Sequence, residues 1–165
     1  MQVNGISLHV EDYGSGRPVL LLHGWPDSAY LWRNQIPFLL KNGFRAIAPD
    51  QRGFGRSDRP EGVAAYSLQN AVGDVLAILD AVGIDAADIV GHDWGAAVAW
   101  FTAMAHPHRV HKLVVLSGAT SACAAHTAAA GNGLVPAVLP VRGNRGGMAA
   151  ARRLGAPAGT EPRQR

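Results

Sequence analysis

The chain alternates between short apolar runs and longer amphipathic stretches over residues 3–115. Four of the apolar runs have no polar alternation, as expected of strands that are covered on both faces. They are residues 19–22, 45–48, 88–90 and 112–116. Residues 6–10 do alternate, and they predict an antiparallel edge strand ahead of the parallel set. The pattern predicts an α/β fold in which helices cover both faces of a mostly parallel sheet.

Two helices can be placed between the predicted strands. Ser67 is a suitable N-cap, and Gly83 a suitable C′ residue, for a helix whose apolar residues share one face. A second helix is predicted to begin at Trp94 and to end before Pro107, because proline cannot continue a helix.

The composition changes after about Thr120. Residues 121–165 consist mainly of Ala, Gly, Pro and Arg, contain no aromatic residue and carry six arginines against one acidic residue. Such a composition favours loop or disorder. We therefore predict a partial core domain over residues 1–120, followed by a tail over residues 121–165 that is disordered or comes from a foreign reading frame. The net charge of +3 arises from this tail, which lacks interleaved aromatic residues and so does not indicate a nucleic-acid partner.

The beginning of the chain has no basic segment followed by an apolar run, and no stretch reaches the roughly 18 apolar residues that a membrane helix needs. The single cysteine, Cys123, cannot form an internal disulfide. These features predict a cytoplasmic protein that does not enter the membrane. They do not indicate an oligomeric state.

The segment Gly91-His92-Asp93-Trp94-Gly95 lies between a predicted strand and a predicted helix. A glycine on each side permits a sharp turn that lifts the central side chain above the sheet edge, as in a nucleophile elbow. We predict Gly91, His92 and Gly95 as structural supports of the site. The central residue of most such turns is serine, whereas here it is Asp93. The alternative interpretation is an ordinary turn in which Asp93 caps the helix.

An aspartate nucleophile can displace a leaving group from a saturated carbon and form an alkyl ester, which water must then hydrolyse. Hydrolysis passes through an oxyanion that needs two backbone N–H donors. We predict the amides of Trp94 and Trp25 as these donors, and the same two residues as contacts of the substrate. Gly24 and Pro26 would shape the loop, and His23 would brace it by hydrogen bonding rather than transfer protons.

Three motifs together resemble those of the epoxide hydrolases of the α/β-hydrolase superfamily. They are His23-Gly24-Trp25-Pro26-Asp27, Pro49-Asp50-Gln51-Arg52-Gly53-Phe54-Gly55-Arg56-Ser57-Asp58 and Gly91-His92-Asp93-Trp94-Gly95. The resemblance spans roughly residues 3–118 and implies an α/β-hydrolase fold that converts a small apolar epoxide and water to a vicinal diol without metal or cofactor. We interpret residues 52–56 as a structural turn rather than catalytic residues. Haloalkane dehalogenases are the alternative family, although they often have asparagine at the position of Trp25.

The resemblance also implies an acid and a late histidine after the nucleophile, and neither is convincing in this chain. The one carboxylate side chain after Asp93 is Glu161. The histidines after it are His106, His108, His111 and His126. We therefore expect a truncated or frameshifted member that lacks the lid and the C-terminal strands, leaves a sheet edge unpaired after Val114 and is inactive by itself. A non-catalytic α/β-hydrolase-like binding domain is the alternative.

Overall fold

A six-stranded sheet organises the computed structural model, which describes residues 1–117 and 137–140. The strands are β1 (Gln2–Val3), β2 (Ile6–Ser7), β3 (Val10–Tyr13), β4 (Arg17–Leu22), β5 (Phe44–Pro49), β6 (Ala87–His92), β7 (Val110–Leu116) and β8 (Ala137–Pro140). The α-helices of the described residues are α1 (Gln35–Lys41), α2 (Leu68–Ala81) and α3 (Trp94–Ala105), and short 3-10 turns cover Ala29–Asn34, Val63–Tyr66 and Pro107–Arg109.

The strand order of the large sheet is β3-β5-β4-β6-β7-β8. The four central strands run parallel, and β3 and β8 are antiparallel to their neighbours at the two edges. All four unbroken apolar runs of the sequence lie in the parallel strands. The predicted α/β fold with a mostly parallel sheet is confirmed.

The side chains of β4 show why its sequence has no polar alternation. Leu20 and Leu22 point into a core that includes α2 and α3. Val19 and Leu21 point to the opposite face, where they pack with Trp32 and the helix α1. Because both faces of the strand are covered, burial favours apolar residues at every position. Helices on both faces of the sheet are thus confirmed.

The boundaries of the two predicted helices are also confirmed. The Ser67 hydroxyl accepts a hydrogen bond from the amide of Asn70 at 3.3 Å and caps α2. Gly83, with a φ of +71°, follows the C-cap of α2 in the conformation that glycine adopts most easily. Helix α3 ends at Ala105, two residues before Pro107.

The prediction of an edge strand over residues 6–10 is wrong. Ile6–Ser7 pairs with Gln2–Val3 in a separate hairpin, and the edge strand of the large sheet is Val10–Tyr13. The hairpin turns at Asn4 and Gly5, whose φ angles of +49° and +75° fit a type I′ turn. The Asn-Gly turn therefore pairs Ile6–Ser7 with Gln2–Val3 in a local hairpin.

The expected unpaired edge after Val114 is also wrong, because β7 pairs with β8 in antiparallel register from Lys112 opposite Pro140 to Val115 opposite Ala137. Proline is tolerated at a sheet edge, where the strand does not need every N–H. The remainder of residues 121–165 lies outside the described residues, so the boundary near Thr120 and the origin of the tail stay predictions. Within the part of the chain that is described, no helix has the length and apolar character to span a membrane.

Candidate active site

Asp93 lies at the corner between β6 and α3. Its φ of +53° and ψ of −118° are unusual for a residue with a side chain and cost on the order of 1–3 kcal/mol. Although Asp93 occupies the N-cap position of α3, its side chain makes no capping hydrogen bond. The interpretation of Asp93 as an ordinary helix cap is therefore not supported, and the strained backbone presents its carboxylate at the carboxyl edge of the sheet.

The glycines on either side of the corner are required by close packing. A Cβ on Gly91 would overlap the backbone of Gly95 and Ala96, and a Cβ on Gly95 would overlap the backbone of Leu22 and His23. The first turn of α3 therefore rests directly on the ends of β6 and β4. This contact brings the loop that follows β4 next to Asp93.

That loop meets the Asp93 carboxylate through its main chain. The amide of Trp25 donates a hydrogen bond of 3.0 Å to Asp93 Oδ1. A Cβ on Gly24 would lie 2.5 Å from Asp93 Cβ, so only glycine permits this approach. The peptide bond between Trp25 and Pro26 is cis. Two of the residues predicted for the loop, Gly24 and Trp25, therefore lie directly against the Asp93 carboxylate.

The amide of Trp94 is the first of α3, and the first N–H groups of a helix have no partner within the helix. It adjoins Asp93 in the chain, and its part in holding the same oxygen stays a prediction. The indole side chains of Trp25 and Trp94 are 68% and 67% exposed. Such large exposed aromatic surfaces beside a carboxylate are typical of a site that receives an apolar molecule.

His23 is fully buried and hydrogen-bonded on both ring nitrogens. Its Nε2 accepts from the Gln51 amide at 3.0 Å, which places the proton on Nδ1, where it donates to Gly24 O at 2.8 Å. The side chain of Gln51 donates in turn to His23 O. Desolvation lowers the pKa of His23, so the ring is neutral, and each of its nitrogens already has a hydrogen-bond partner. These contacts fit a bracing role and leave no nitrogen for proton transfer.

His92 is the last residue of β6, and its Cα pairs with that of Leu116 on β7. Its Nδ1 is buried and has no hydrogen-bond partner among the residues that the structure describes. Its predicted role as a support of the site stays a prediction.

Asp50 supports the loop and was not singled out from the sequence. Its carboxylate accepts from the amide of Ala29 at 2.7 Å and from the amide of Arg56 at 2.9 Å. Asp50 is 4% exposed and follows directly after β5. An acidic residue directly after a buried parallel strand was the one available signal, because the carboxyl ends of such strands meet at the ligand-binding edge.

Arg52 is likewise buried and forms a two-pronged ion pair with Asp74 on α2, with Nε and Nη2 each 2.6 Å from a carboxylate oxygen. It also donates to Ala65 O at 2.6 Å. These contacts join the turn over residues 52–56 to α2. The interpretation of this turn as structural rather than catalytic stays a prediction.

An open cavity of about 280 Å³ lies in front of the loop and the corner. This volume is close to the lower end of the range for small-molecule sites. Its aromatic lining comes from Trp25, Phe54, Tyr66 and Trp94. Phe54 and Tyr66 were missed from the sequence, because each is brought to the cleft by a turn that has no local signal for its position.

The three described histidines after Asp93 lie at the opposite end of the parallel strands from Asp93. Helix α3 has 12 residues, so its far end is roughly 18 Å from Asp93. His106 and His108 follow that end and contact each other with ring centroids 6.1 Å apart, and His111 lies near the start of β7. His108 is exposed and the other two are half-buried. None of these three is placed to act on Asp93.

Comparison with protein families matches residues 17–136 to the family described as the alpha/beta hydrolase fold. The match covers well over half of the chain, and the strand-turn-helix corner with its glycines agrees with it. The chain belongs to the α/β-hydrolase fold family.

Among curated proteins, the chain is 50% identical over 117 residues to Epoxide hydrolase 2 of Siraitia grosvenorii, which covers 71% of this chain and 37% of that protein. It is 47% identical over 114 residues to an epoxide hydrolase of Caballeronia sordidicola, covering 69% of this chain and 35% of the relative. The crystal structure of an epoxide hydrolase from Vigna radiata superposes with a TM-score of 0.70 at 43% identity, over 71% of this chain and 38% of that one. The chain therefore spans little more than a third of the length of these relatives.

Proposed function

We propose that this chain carries the nucleophile and the oxyanion-binding loop of an epoxide hydrolase. In the first step an oxygen of Asp93 attacks an epoxide carbon, the carbon–oxygen bond of the ring breaks, and the released alkoxide takes a proton from solvent water. The product is an alkyl ester of Asp93. A carboxylate suits this reaction because a strained epoxide carbon is a far better target for it than an amide or a simple ester.

One observation carries the proposal: the Trp25 amide holds Asp93 Oδ1 at 3.0 Å. With Oδ1 held, Oδ2 is the oxygen that attacks and becomes the ester oxygen. In the second step water adds to the ester carbon, and negative charge develops on Oδ1, where the Trp25 amide already points. The Trp94 amide is proposed as the second donor, and a pair of such donors is worth several kcal/mol in comparable sites, about 2.7–4 kcal/mol for each.

The second step needs a base, and the part of the chain that the structure describes places none beside Asp93; His126 and Glu161 lie outside that part. The histidines at 106, 108 and 111 are at the far edge of the sheet, and Glu161 is the one carboxylate side chain after Asp93. Removal of one triad member commonly costs on the order of 10⁴-fold in rate. We therefore expect the isolated chain to form the ester slowly and to retain it, rather than to turn over.

The mass of the intact chain after incubation with styrene oxide tests this proposal. We expect the addition of one epoxide per chain, mapped by proteolysis to Asp93 and stable over hours. Asp93→Asn should abolish the adduct, whereas Asp85→Asn should not, because Asp85 is exposed ahead of β6 at the opposite edge of the sheet. An alkyl halide in a parallel incubation separates dehalogenase-type chemistry from epoxide opening.

Circular dichroism on the same samples shows whether each variant is folded. A folded wild-type chain without any adduct would favour the non-catalytic binding domain. An adduct that persists in Asp93→Asn would place the reaction at another residue. Either result contradicts the proposal.

A further inference from the structure

The 3-10 turn Val63–Tyr66 contributes Tyr66 to the lining of the cleft, and it is held by the buried side chain of Arg52 and the exposed side chain of Asn70. Arg52 donates to Ala65 O at 2.6 Å, and Asn70 Nδ2 donates to Ala64 O at 3.1 Å and to Ala65 O at 3.2 Å. Asp74 fixes the guanidinium of Arg52 from the side of α2. Side chains from two other segments therefore anchor the turn.

The ring of Tyr66 is placed by a glycine. A Cβ on Gly53 would lie 2.6 Å from Tyr66 Cε1, so the ring rests on the bare backbone of Gly53. Gly53 has a φ of +85°, which favours glycine independently of the ring. Tyr66 is nevertheless 44% exposed, and its exposed surface faces the same cleft as the indoles of Trp25 and Trp94.

We propose that Tyr66 is a specificity-determining residue, whose ring contacts the apolar substituent of the substrate and selects a flat aromatic substituent over a small alkyl group. Arg52 and Asp74 are positioning residues that hold the ring in place. Tyr66 lines a cavity of about 280 Å³ together with Trp25, Phe54 and Trp94, so a substituent that enters this cavity meets mainly aromatic side chains. Aromatic pairs gain from offset or edge-to-face contact beyond simple burial. The inference rests on the proposed function in taking this substituent to be part of an epoxide.

Binding of two diols tests the inference without the need for chemistry. The probes are 1-phenyl-1,2-ethanediol and 1,2-propanediol, each titrated into the labelled chain and followed by the NMR signals of the tryptophan indoles. The wild-type chain should bind the phenyl diol more tightly than propanediol, and Tyr66→Ala should weaken binding of the phenyl diol by roughly five- to tenfold. Binding of propanediol should be unchanged. Tyr66→Phe should retain the preference, because the ring rather than the hydroxyl makes the contact.

Tyr13→Ala is the matched control, since Tyr13 is similarly exposed at 46% but lies on the edge strand β3, away from the cleft. It should bind both diols as the wild type does. A wild-type chain without preference for the phenyl diol, an equal effect of Tyr66→Ala on both diols, or a Tyr66→Phe variant that behaves as Tyr66→Ala would overturn the inference. Failure of the proposed function is a separate outcome, because it appears as a missing adduct on Asp93 whatever the diol preference.

Discussion

Asp74→Ala is expected to destabilise the fold by about 3–5 kcal/mol, because it leaves the guanidinium of Arg52 buried without its counter-charge. The two side chains are 9% and 8% exposed, and two contacts of 2.6 Å join them. Asp74 also accepts from Asn4 Nδ2 at 3.0 Å, so the substitution removes three hydrogen bonds at once. For a domain stabilised by roughly 5–15 kcal/mol, the loss is a large fraction of the free energy of unfolding.

Urea unfolding followed by tryptophan fluorescence measures this loss. With a slope of about 2 kcal/mol per molar urea, the midpoint should fall by roughly 1.5–2.5 M. Asp12→Ala is the control, since Asp12 pairs with Arg45 in a similar geometry at 30% and 26% exposure. An exposed pair of this kind contributes about 0–1 kcal/mol.

A double variant separates the cost of an unpaired charge from a loss of packing. Arg52→Met together with Asp74→Leu should recover most of the stability, because neither charge is then buried alone. The same variant should lose the preference for the phenyl diol, since the anchor of the Val63–Tyr66 turn is gone. If the midpoint of Asp74→Ala fell no further than that of Asp12→Ala, the reasoning would be refuted.

Three further variants test the site. Gly24→Ala should leave the chain folded by circular dichroism but abolish the epoxide adduct, because the added Cβ would displace Asp93; an adduct at the wild-type rate would contradict this. Gly53→Ala should weaken binding of the phenyl diol as Tyr66→Ala does, because the added Cβ would displace the Tyr66 ring; unchanged binding would argue against the contact between Tyr66 and the diol. Burial lowers the pKa of His23 below its ordinary 6.5, so as the pH falls the unfolded chain binds a proton at His23 before the folded chain does. The contribution of His23 to stability should therefore be full above pH 6.5 and decrease below it. The urea midpoint of His23→Gln should depend less on pH than that of the wild type.

The central sheet could be predicted because burial on both faces leaves a direct trace in the sequence. Leu20 and Leu22 face one core and Val19 and Leu21 the other, so the run is apolar throughout. The caps of α2 have a similarly local cause. Alternation over residues 6–10 does not distinguish an edge strand from the hairpin, whereas the Asn4-Gly5 turn indicates the local pairing that the structure shows.

The supports of the site could not be predicted in the same way, since they depend on contacts between distant parts of the chain. Asp50 reaches the amide of Ala29, 21 residues earlier, and Arg52 reaches Asp74, 22 residues later. Strand β8 was missed for a different reason. Prolines at 136 and 140 beside a short apolar run predict a loop from the sequence, whereas Pro140 is compatible with a strand that pairs at the sheet edge.

A crystal structure of the chain after incubation with styrene oxide would test the central claim most directly. We expect an ester through Oδ2 of Asp93, with the ester carbonyl oxygen within about 3 Å of the nitrogens of both Trp25 and Trp94. An unmodified Asp93 in a folded and fully incubated chain, or an ester whose carbonyl points away from these two amides, would contradict it.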